Sequence, residues 1–152
     1  MIQDSIVTRQ RHERFIKKVC ETGVVWGLEN KEGLATSSSD EYEDKDGEPI
    51  ELICFWSDKA VAKSCIKDDW NDYQPVEITL SNFIENWCIG MSIDGLLIGS
   101  NFDQNMFGFE VDPLELIIDL SKELKNQEKE IKLEKYHHIS ELTDEIEKIL
   151  NE

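Results

Sequence analysis

The sequence predicts an α+β fold, with a single mostly antiparallel sheet of five or six strands, helices chiefly on one face, and a C-terminal helical extension. Two observations predict this fold. Short segments rich in β-branched and aromatic residues, such as Val24–Leu28 and Ile50–Trp56, are bounded by turn residues. Segments with helical apolar periodicity separate and follow them. The 152 residues suit one domain, and we place it at residues 1–125, with residues 126–152 as a charged helical tail.

The first helix is expected to end at Thr22, before Gly23, with an apolar inner face. The strands are then predicted at Val24–Leu28, Leu34–Thr36, Ile50–Trp56, Val76–Leu80, Leu96–Phe102 and Met106–Val111. Ile50–Trp56 is almost continuously apolar, which is typical of a central strand with both faces covered. The expected large core side chains are Trp26, Phe55, Trp56, Phe83, Trp87 and Phe109.

Three further helices are predicted within the domain. Ser57 is expected to cap a short helix over residues 58–66, and Ser81 a helix with apolar residues at i, i+4 and i+8. Asp112-Pro113 is a strong start signal for the next helix, because aspartate caps well and proline suits the first helical position. After Lys125 the apolar stripe falters around residues 134–138, so the tail is predicted to be a broken or continued helix.

The charge balance limits the classes of partner. The chain has 33 acidic and 16 basic residues, a formal net charge of −17. Such a surface repels phosphate backbones and anionic lipid headgroups, so we expect no direct nucleic-acid binding and no membrane binding. The N-terminal residues lack the basic and apolar regions of a secretion signal. Together with four irregularly spaced cysteines, which suggest buried reduced thiols, this predicts a cytoplasmic protein.

The sequence contains no recognisable catalytic or cofactor motif. Glycine-rich phosphate loops, nucleophile elbows and paired zinc-ligand motifs are missing from it. His137 and His138 are adjacent, so on a helix they would point in different directions and would not assemble a metal site. We therefore predict no catalytic residues, no cofactor and no metal.

The acidic segment over residues 37–48 is the feature we single out as functional. We interpret it as a solvated, mobile loop, because its charge prevents it from being buried. Clustered carboxylates speed association with a cationic surface and can imitate nucleic-acid phosphates. The predicted partner is a basic protein such as a toxin or nuclease, and the predicted contacts are Asp40, Glu41, Glu43, Asp44, Asp46 and Glu48.

Two alternatives remain open at this point. The protein could be an enzyme with a cleft near Trp70, Asp72 and Tyr73, in which case a buried carboxylate or thiol with a shifted pKa should face a pocket. It could instead be a self-associating structural module, a homodimer that uses residues 113–150.

Several short motifs, taken in order, resemble one bacterial protein family. They are Arg14-Phe15, Val25-Trp26-Gly27-Leu28, Phe55-Trp56-Ser57 followed by Ala60 and Ala62, Trp70, Pro75, Phe83 with Trp87, Asp94-Gly95-Leu96-Leu97 and Val111-Asp112-Pro113. Together they resemble the family catalogued as domain of unknown function 2750, over about residues 10–120. The resemblance implies a small α/β domain and no established activity. An immunity-type or accessory protein is our leading hypothesis for function, by analogy of size, acidity and architecture alone.

Overall fold

The structure, a computed structural model, describes residues 2–152, with side chains from Ser5 onward. The helices are α1 (Ile2–Thr22), α2 (Lys59–Ser64), α3 (Leu80–Asn82), α4 (Ile89–Ile93), α5 (Pro113–Asn126) and α6 (Ile139–Leu150). A π-helical segment, Phe83–Cys88, joins α3 to α4, and a 3-10 turn spans Asp68–Trp70. The strands are β1 (Val24–Asn30), β2 (Gly33–Leu34), β3 (Thr36–Glu43), β4 (Pro49–Phe55), β5 (Gln74–Thr79), β6 (Leu97–Ser100) and β7 (Phe109–Val111).

The α+β class is confirmed, but the prediction of a single sheet is wrong. The strands form two sheets, one of three strands in the order β2-β1-β5 and one of four in the order β3-β4-β6-β7. Only Trp26 and Trp56 pair across the two sheets, in an isolated antiparallel bridge among the described residues. The register explains the division. β1 meets this edge of β4 only at Trp56, through Trp26. From Ile53 back towards Pro49 the same edge pairs with β3, beginning at Thr36, so β1 cannot continue along it.

Strand β4 separates two apolar cores, as its apolar sequence predicted. Ile53 and Phe55 face the larger core, which α1, α5, α6 and the π-helical segment cover. Leu52, Cys54 and Trp56 face a smaller core closed by α2 and the loop at Phe102. β4 lies between β3 and β6, pairing antiparallel with the first and parallel with the second, so both of its edges are paired. The two cores bury its faces from Leu52 to Phe55.

Helix caps differ in detail from those expected. Ser57 does not cap α2, whose N-cap is Asp58 with no side-chain hydrogen bond. Thr79, rather than Ser81, caps the run that starts at α3, with its Oγ1 accepting from the N–H of Asn82 at 3.2 Å. The Asp112 cap of α5 is confirmed, since its Oδ2 accepts from Leu114 and Glu115. Three of the six expected core aromatics (Phe55, Trp56 and Phe83) are fully buried, and the other three are partly buried.

The C-terminal segment packs against the rest of the fold. Residues 127–138 are irregular, and the helix resumes as α6. Leu133, Leu142 and Ile146 belong to the larger core. Glu85 of the π-helical segment is buried, and its two carboxylate oxygens accept from the N–H groups of Glu134 and Lys135, both at 2.9 Å. The domain boundary at residue 125 and a homodimer through residues 113–150 both stay predictions. The apolar faces of α5 and α6 already pack within the chain, in the larger core.

No helix within residues 2–152 is both long enough and apolar enough to cross a lipid bilayer.

Candidate functional site

The six residues predicted to contact a partner lie together on one hairpin. We name residues 36–51 the acidic hairpin; it comprises β3, its turn and the start of β4. It contains seven acidic residues and one lysine, a formal net charge of −6. The predicted contacts Asp40, Glu41, Glu43, Asp44, Asp46 and Glu48 are all exposed.

The prediction of a loop over all of residues 37–48 is wrong, because β3 runs to Glu43 and hydrogen bonds close the segment as a hairpin. Asp44 forms the turn: its Oδ1 accepts from the N–H groups of Asp46 at 2.8 Å and Glu48 at 3.0 Å. Gly47 supplies the positive φ, +80°, that this turn requires. Of the six acidic residues, Asp44 therefore has a structural role in addition to its charge.

A second set of bonds anchors the strand of the hairpin. The Ser39 hydroxyl accepts from the N–H groups of Glu41 at 3.1 Å and Tyr42 at 2.8 Å, so it donates its own proton to the Glu110 carboxylate. The second oxygen of Glu110 accepts from the N–H of Asp40 at 3.0 Å. Glu110 lies on β7, at the opposite end of the sheet order from β3. The hairpin is therefore held across the sheet as well as along its edge.

The negative charge of the acidic hairpin is uncompensated nearby. None of its carboxylates lies within 4 Å of a Lys, Arg or His nitrogen in the part of the chain that the structure describes. β3 is an edge strand, so its outer backbone groups have no partner strand in this sheet. The result is an exposed, ordered edge of negative charge.

A cavity of about 540 Å³ lies beside the hairpin, where α1, β7 and the start of α5 meet. We name it the His12 cavity. Tyr42 reaches it from the acidic hairpin, so the two features are continuous. The other polar side chains that line it are Arg9, His12, Glu110, Asp112, Glu115 and Asp119.

His12 is the most buried polar side chain of this cavity, with 4% of its surface exposed. Its Nδ1 lies 2.6 Å from the Oγ of the fully buried Ser100. Its ring stacks on Phe109, with 4.2 Å between centroids and 21° between planes. Burial, together with the nearby Arg9 guanidinium, lowers the pKa of His12 from 6.5 to about 4. The imidazole is therefore neutral at physiological pH.

The walls of the His12 cavity differ in charge. On the α1 side, the Arg9 guanidinium lies 5.2 Å above the Phe109 ring, a cation–π contact. On the α5 side, Glu115 and Asp119 are four residues apart and so share one face of the helix. Partial burial raises the pKa of Asp119, and Lys122 acts against that shift. Among the described residues, Asp119 has neither a salt bridge nor a side-chain hydrogen bond.

A second polar cluster occupies the carboxyl ends of the parallel strands β4 and β6. Asn101, in the left-handed region with φ 48°, accepts from the N–H of Ser57 at 2.9 Å. Its Nδ2 donates to the Ser57 hydroxyl at 3.0 Å and to the Arg11 carbonyl at 3.2 Å. Both side chains are buried, and their polar groups bond to one another. This cluster joins α1 to the sheet and leaves no group directed at a ligand.

The residues of the alternative enzyme cleft are not assembled into one pocket. Trp70 is buried against Trp56, with ring centroids 6.0 Å apart, whereas Asp72 lines a different depression. Cys65 does line a cavity of about 560 Å³ beside Trp70. Burial raises the pKa of its thiol, and the thiol donates to the Phe102 carbonyl at 3.4 Å. A protonated, hydrogen-bonded thiol is a poor nucleophile.

The residues that the structure describes contain no group of three His, Cys, Asp or Glu side chains that could hold a metal ion. His138 pairs instead with Glu130, with 3.3 Å between Nε2 and the carboxylate. All four cysteines are free and buried.

Comparison with known protein families agrees with the resemblance described above. A family model described as a protein of unknown function (DUF2750) matches residues 12–120. The chain belongs to this family. The family region covers the acidic hairpin and every polar residue of the His12 cavity except Arg9. Comparisons with curated proteins and with solved structures found no match.

Sequence reasoning did not identify His12 and Ser100 as a pair. One signal for His12 was available: the inner face of α1 carries Phe15, Ile16, Val19 and Cys20, and His12 precedes this stripe by three residues. A histidine at that position enters the core and needs a polar partner. Nothing local to residue 100 reveals that Ser100, 88 positions further along the chain, supplies it.

Proposed function

We propose that this protein is a non-catalytic binding module that engages a basic partner protein through the acidic hairpin. The observation that supports this proposal most strongly is the combination of order and uncompensated charge. The hairpin has a net charge of −6, is fixed by the Asp44 turn and the Glu110 bonds, and exposes all seven of its acidic side chains. A fixed array of charges loses little conformational entropy on binding, which favours affinity.

The charge acts chiefly on the rate of encounter. A negative edge attracts a cationic surface over roughly a Debye length, about 8 Å at physiological salt, and orients it before contact. The proposed partner is a basic protein such as a toxin or nuclease, as for an immunity-type or accessory protein in the cytoplasm. For such a partner, the hairpin would occupy the surface that otherwise receives nucleic-acid phosphates.

Charge reversal on the hairpin tests this proposal. In the test variant Glu41, Glu43, Asp46 and Glu48 are each replaced by Lys, while Asp44 is retained because it forms the turn. The matched control makes the same change of charge at four exposed positions of the C-terminal segment, Glu141, Asp144, Glu147 and Glu152. Each immobilised protein is used to capture its partner from a lysate of the native host at low and at high salt, about 0.03 and 0.3 M.

The expected result is one captured basic protein that is lost from the hairpin variant and kept by the control. With the purified partner, the association rate constant should fall by about tenfold or more at low salt, with a smaller change in dissociation. Equal capture by the hairpin variant at low salt would show that the acidic hairpin is not the binding surface.

A further inference from the structure

The His12 cavity contains a buried polar side chain with one unused hydrogen-bonding group. His12 is 4% exposed, and its Nδ1 is occupied by Ser100. Its Nε2 has no hydrogen-bond partner among the side chains and backbone groups of residues 5–152. Nε2 is not fully enclosed by protein atoms, so it has access to open space. His12 is one of the residues that line this cavity.

The role of Ser100 determines which ring nitrogen carries the proton. The Ser100 hydroxyl is fully buried, and within the described residues its side chain bonds only to His12 Nδ1. A buried hydroxyl proton without an acceptor is costly, so the arrangement that satisfies both groups has Ser100 donating to Nδ1. Because the imidazole is neutral, its proton then sits on Nε2. The cavity therefore contains a fixed N–H donor at its α1 wall.

The opposite wall contains unpaired acceptors. Asp119 is half-buried on α5 and has no cation within 4 Å among the described residues, and Glu115 lies one turn earlier on the same face. The other two carboxylates are already used, Glu110 by Ser39 and Asp40, and Asp112 by the N-terminus of α5. A ligand that satisfies both walls needs an acceptor at His12 and a cation at Asp119.

We propose that the His12 cavity receives a basic residue of the protein partner, with its Lys or Arg side chain at Asp119 and Glu115 and its main-chain carbonyl at the His12 Nε2–H. This inference rests on the proposed function and names the part of the partner that is bound next to the hairpin. Tyr42 lies on both surfaces, at the hairpin and at the cavity rim, so a peptide segment crossing one reaches the other. Arg9, above Phe109, adds a second donor on the side of the carbonyl.

The test uses the full-length protein labelled with ¹⁵N and three capped peptides as probes: acetyl-Gly-Arg-Gly-amide, its Gln analogue and its Glu analogue. NMR spectra follow the backbone amides and the His12 ring nitrogens during titration. We expect saturable shifts at His12, Phe109 and Asp119 with the Arg peptide. We expect binding about tenfold weaker for the Gln peptide and none for the Glu peptide, because the charge-assisted bond is lost and then reversed. Before any peptide is added, the ring spectrum should show the proton on Nε2.

Matched variants locate the contact. Asp119→Asn should weaken binding of the Arg peptide by about fivefold, since it removes one half-buried ion pair. Asp94→Asn, at an exposed position outside the cavity, should leave it unchanged. Shifts confined to the acidic hairpin, equal binding of the three peptides, or a His12 proton on Nδ1 would each overturn this inference. The proposed function is tested separately, by the capture experiment, and these results would leave its outcome unchanged.

Discussion

Trp26 and Trp56 exchange both of their backbone hydrogen bonds, each at 2.8 Å, and this pair connects the two sheets. Trp56 is fully buried, and its indole Nε1 donates to the Phe102 carbonyl at 2.8 Å. One residue thus joins the three-stranded sheet, the four-stranded sheet and the loop after β6. We therefore expect the stability of the whole domain to depend strongly on Trp56.

Replacing Trp56 by Phe should lower the free energy of unfolding by about 2–3 kcal/mol, because it deletes a buried hydrogen bond and leaves part of the indole volume empty. Urea unfolding followed by far-UV circular dichroism measures this change. Trp87→Phe is the matched control, since Trp87 is only partly buried. Its cost should be about 1 kcal/mol. Equal costs for the two variants would mean that Trp56 has no special connecting role.

Glu85 should act as the anchor of the C-terminal segment. Glu85→Gln turns one of two acceptor oxygens into a donor that opposes a backbone N–H, at a cost of about 2–3 kcal/mol. Amide hydrogen exchange by NMR should show the largest loss of protection at Glu134 and Lys135, with faster exchange across α6. Glu77→Gln, on an exposed position of β5, is the control. Unchanged protection at Glu134 would contradict the anchoring role.

Because His12 is buried in its neutral form, we expect the free energy of unfolding to decrease in acid. The pKa of His12 is about 4 in the folded state, against an ordinary value of 6.5 in the unfolded chain, so the unfolded chain binds more protons between these values. The contribution of the neutral ring is fully present above about pH 6.5 and falls by about 3 kcal/mol as the pH drops to 4. Urea unfolding at a series of pH values measures it.

The variant for the pH experiment is His12→Asn, whose amide can still bond to Ser100. The variant should be less stable than the wild type near neutral pH, and this difference should shrink by about 3 kcal/mol on acidification, because the variant lacks the titrating ring. Exposed His137→Asn should follow the wild-type curve throughout. A difference that stays constant with pH would show that His12 titrates normally.

The four cysteines should be unreactive in the folded protein. Burial raises the pKa of Cys20 to about 12 and also raises the pKa of Cys54, Cys65 and Cys88. Thiolate is the reactive form, so a disulfide reagent at about pH 8 should label almost no thiol in minutes, and all four after unfolding in urea. A rapidly labelled thiol in the native state, identified through Cys65→Ser, would contradict this prediction and favour the enzyme alternative.

Local patterns predicted the elements of this fold better than their assembly. The apolar run of β4 correctly indicated a strand covered on both faces, and Asp112-Pro113 correctly marked the start of α5. The division into two sheets was not predictable in this way. It depends on whether β1 or β3 occupies the edge of β4, and either choice buries apolar residues. Because β1 is distant from β4 in sequence, no local periodic pattern shows whether it or β3 pairs with that edge.

The acidic segment shows a second limit of sequence reasoning. Its composition favours a solvated loop, yet Ser39 is 7% exposed and bonds to Glu110, which is 71 residues away. The six acidic positions and their exposure followed from the sequence, whereas their ordered arrangement did not. In the same way, His12 could be placed on the inner face of α1, but its partner Ser100 could not be named. Both features depend on hydrogen bonds between residues distant in sequence, which a local pattern does not reveal.

The charged outer strand has a consequence for the behaviour of the protein in concentrated solution. An open strand edge is a template onto which a second molecule can add its own strand, and repeated addition produces fibrils. Carboxylates along β3 make two such edges repel each other, so the same residues that we propose attract a basic partner also keep identical copies apart. Acid, or polyvalent cations that neutralise these groups, would remove that protection, and the β3 edge is where polymerisation of this protein should begin.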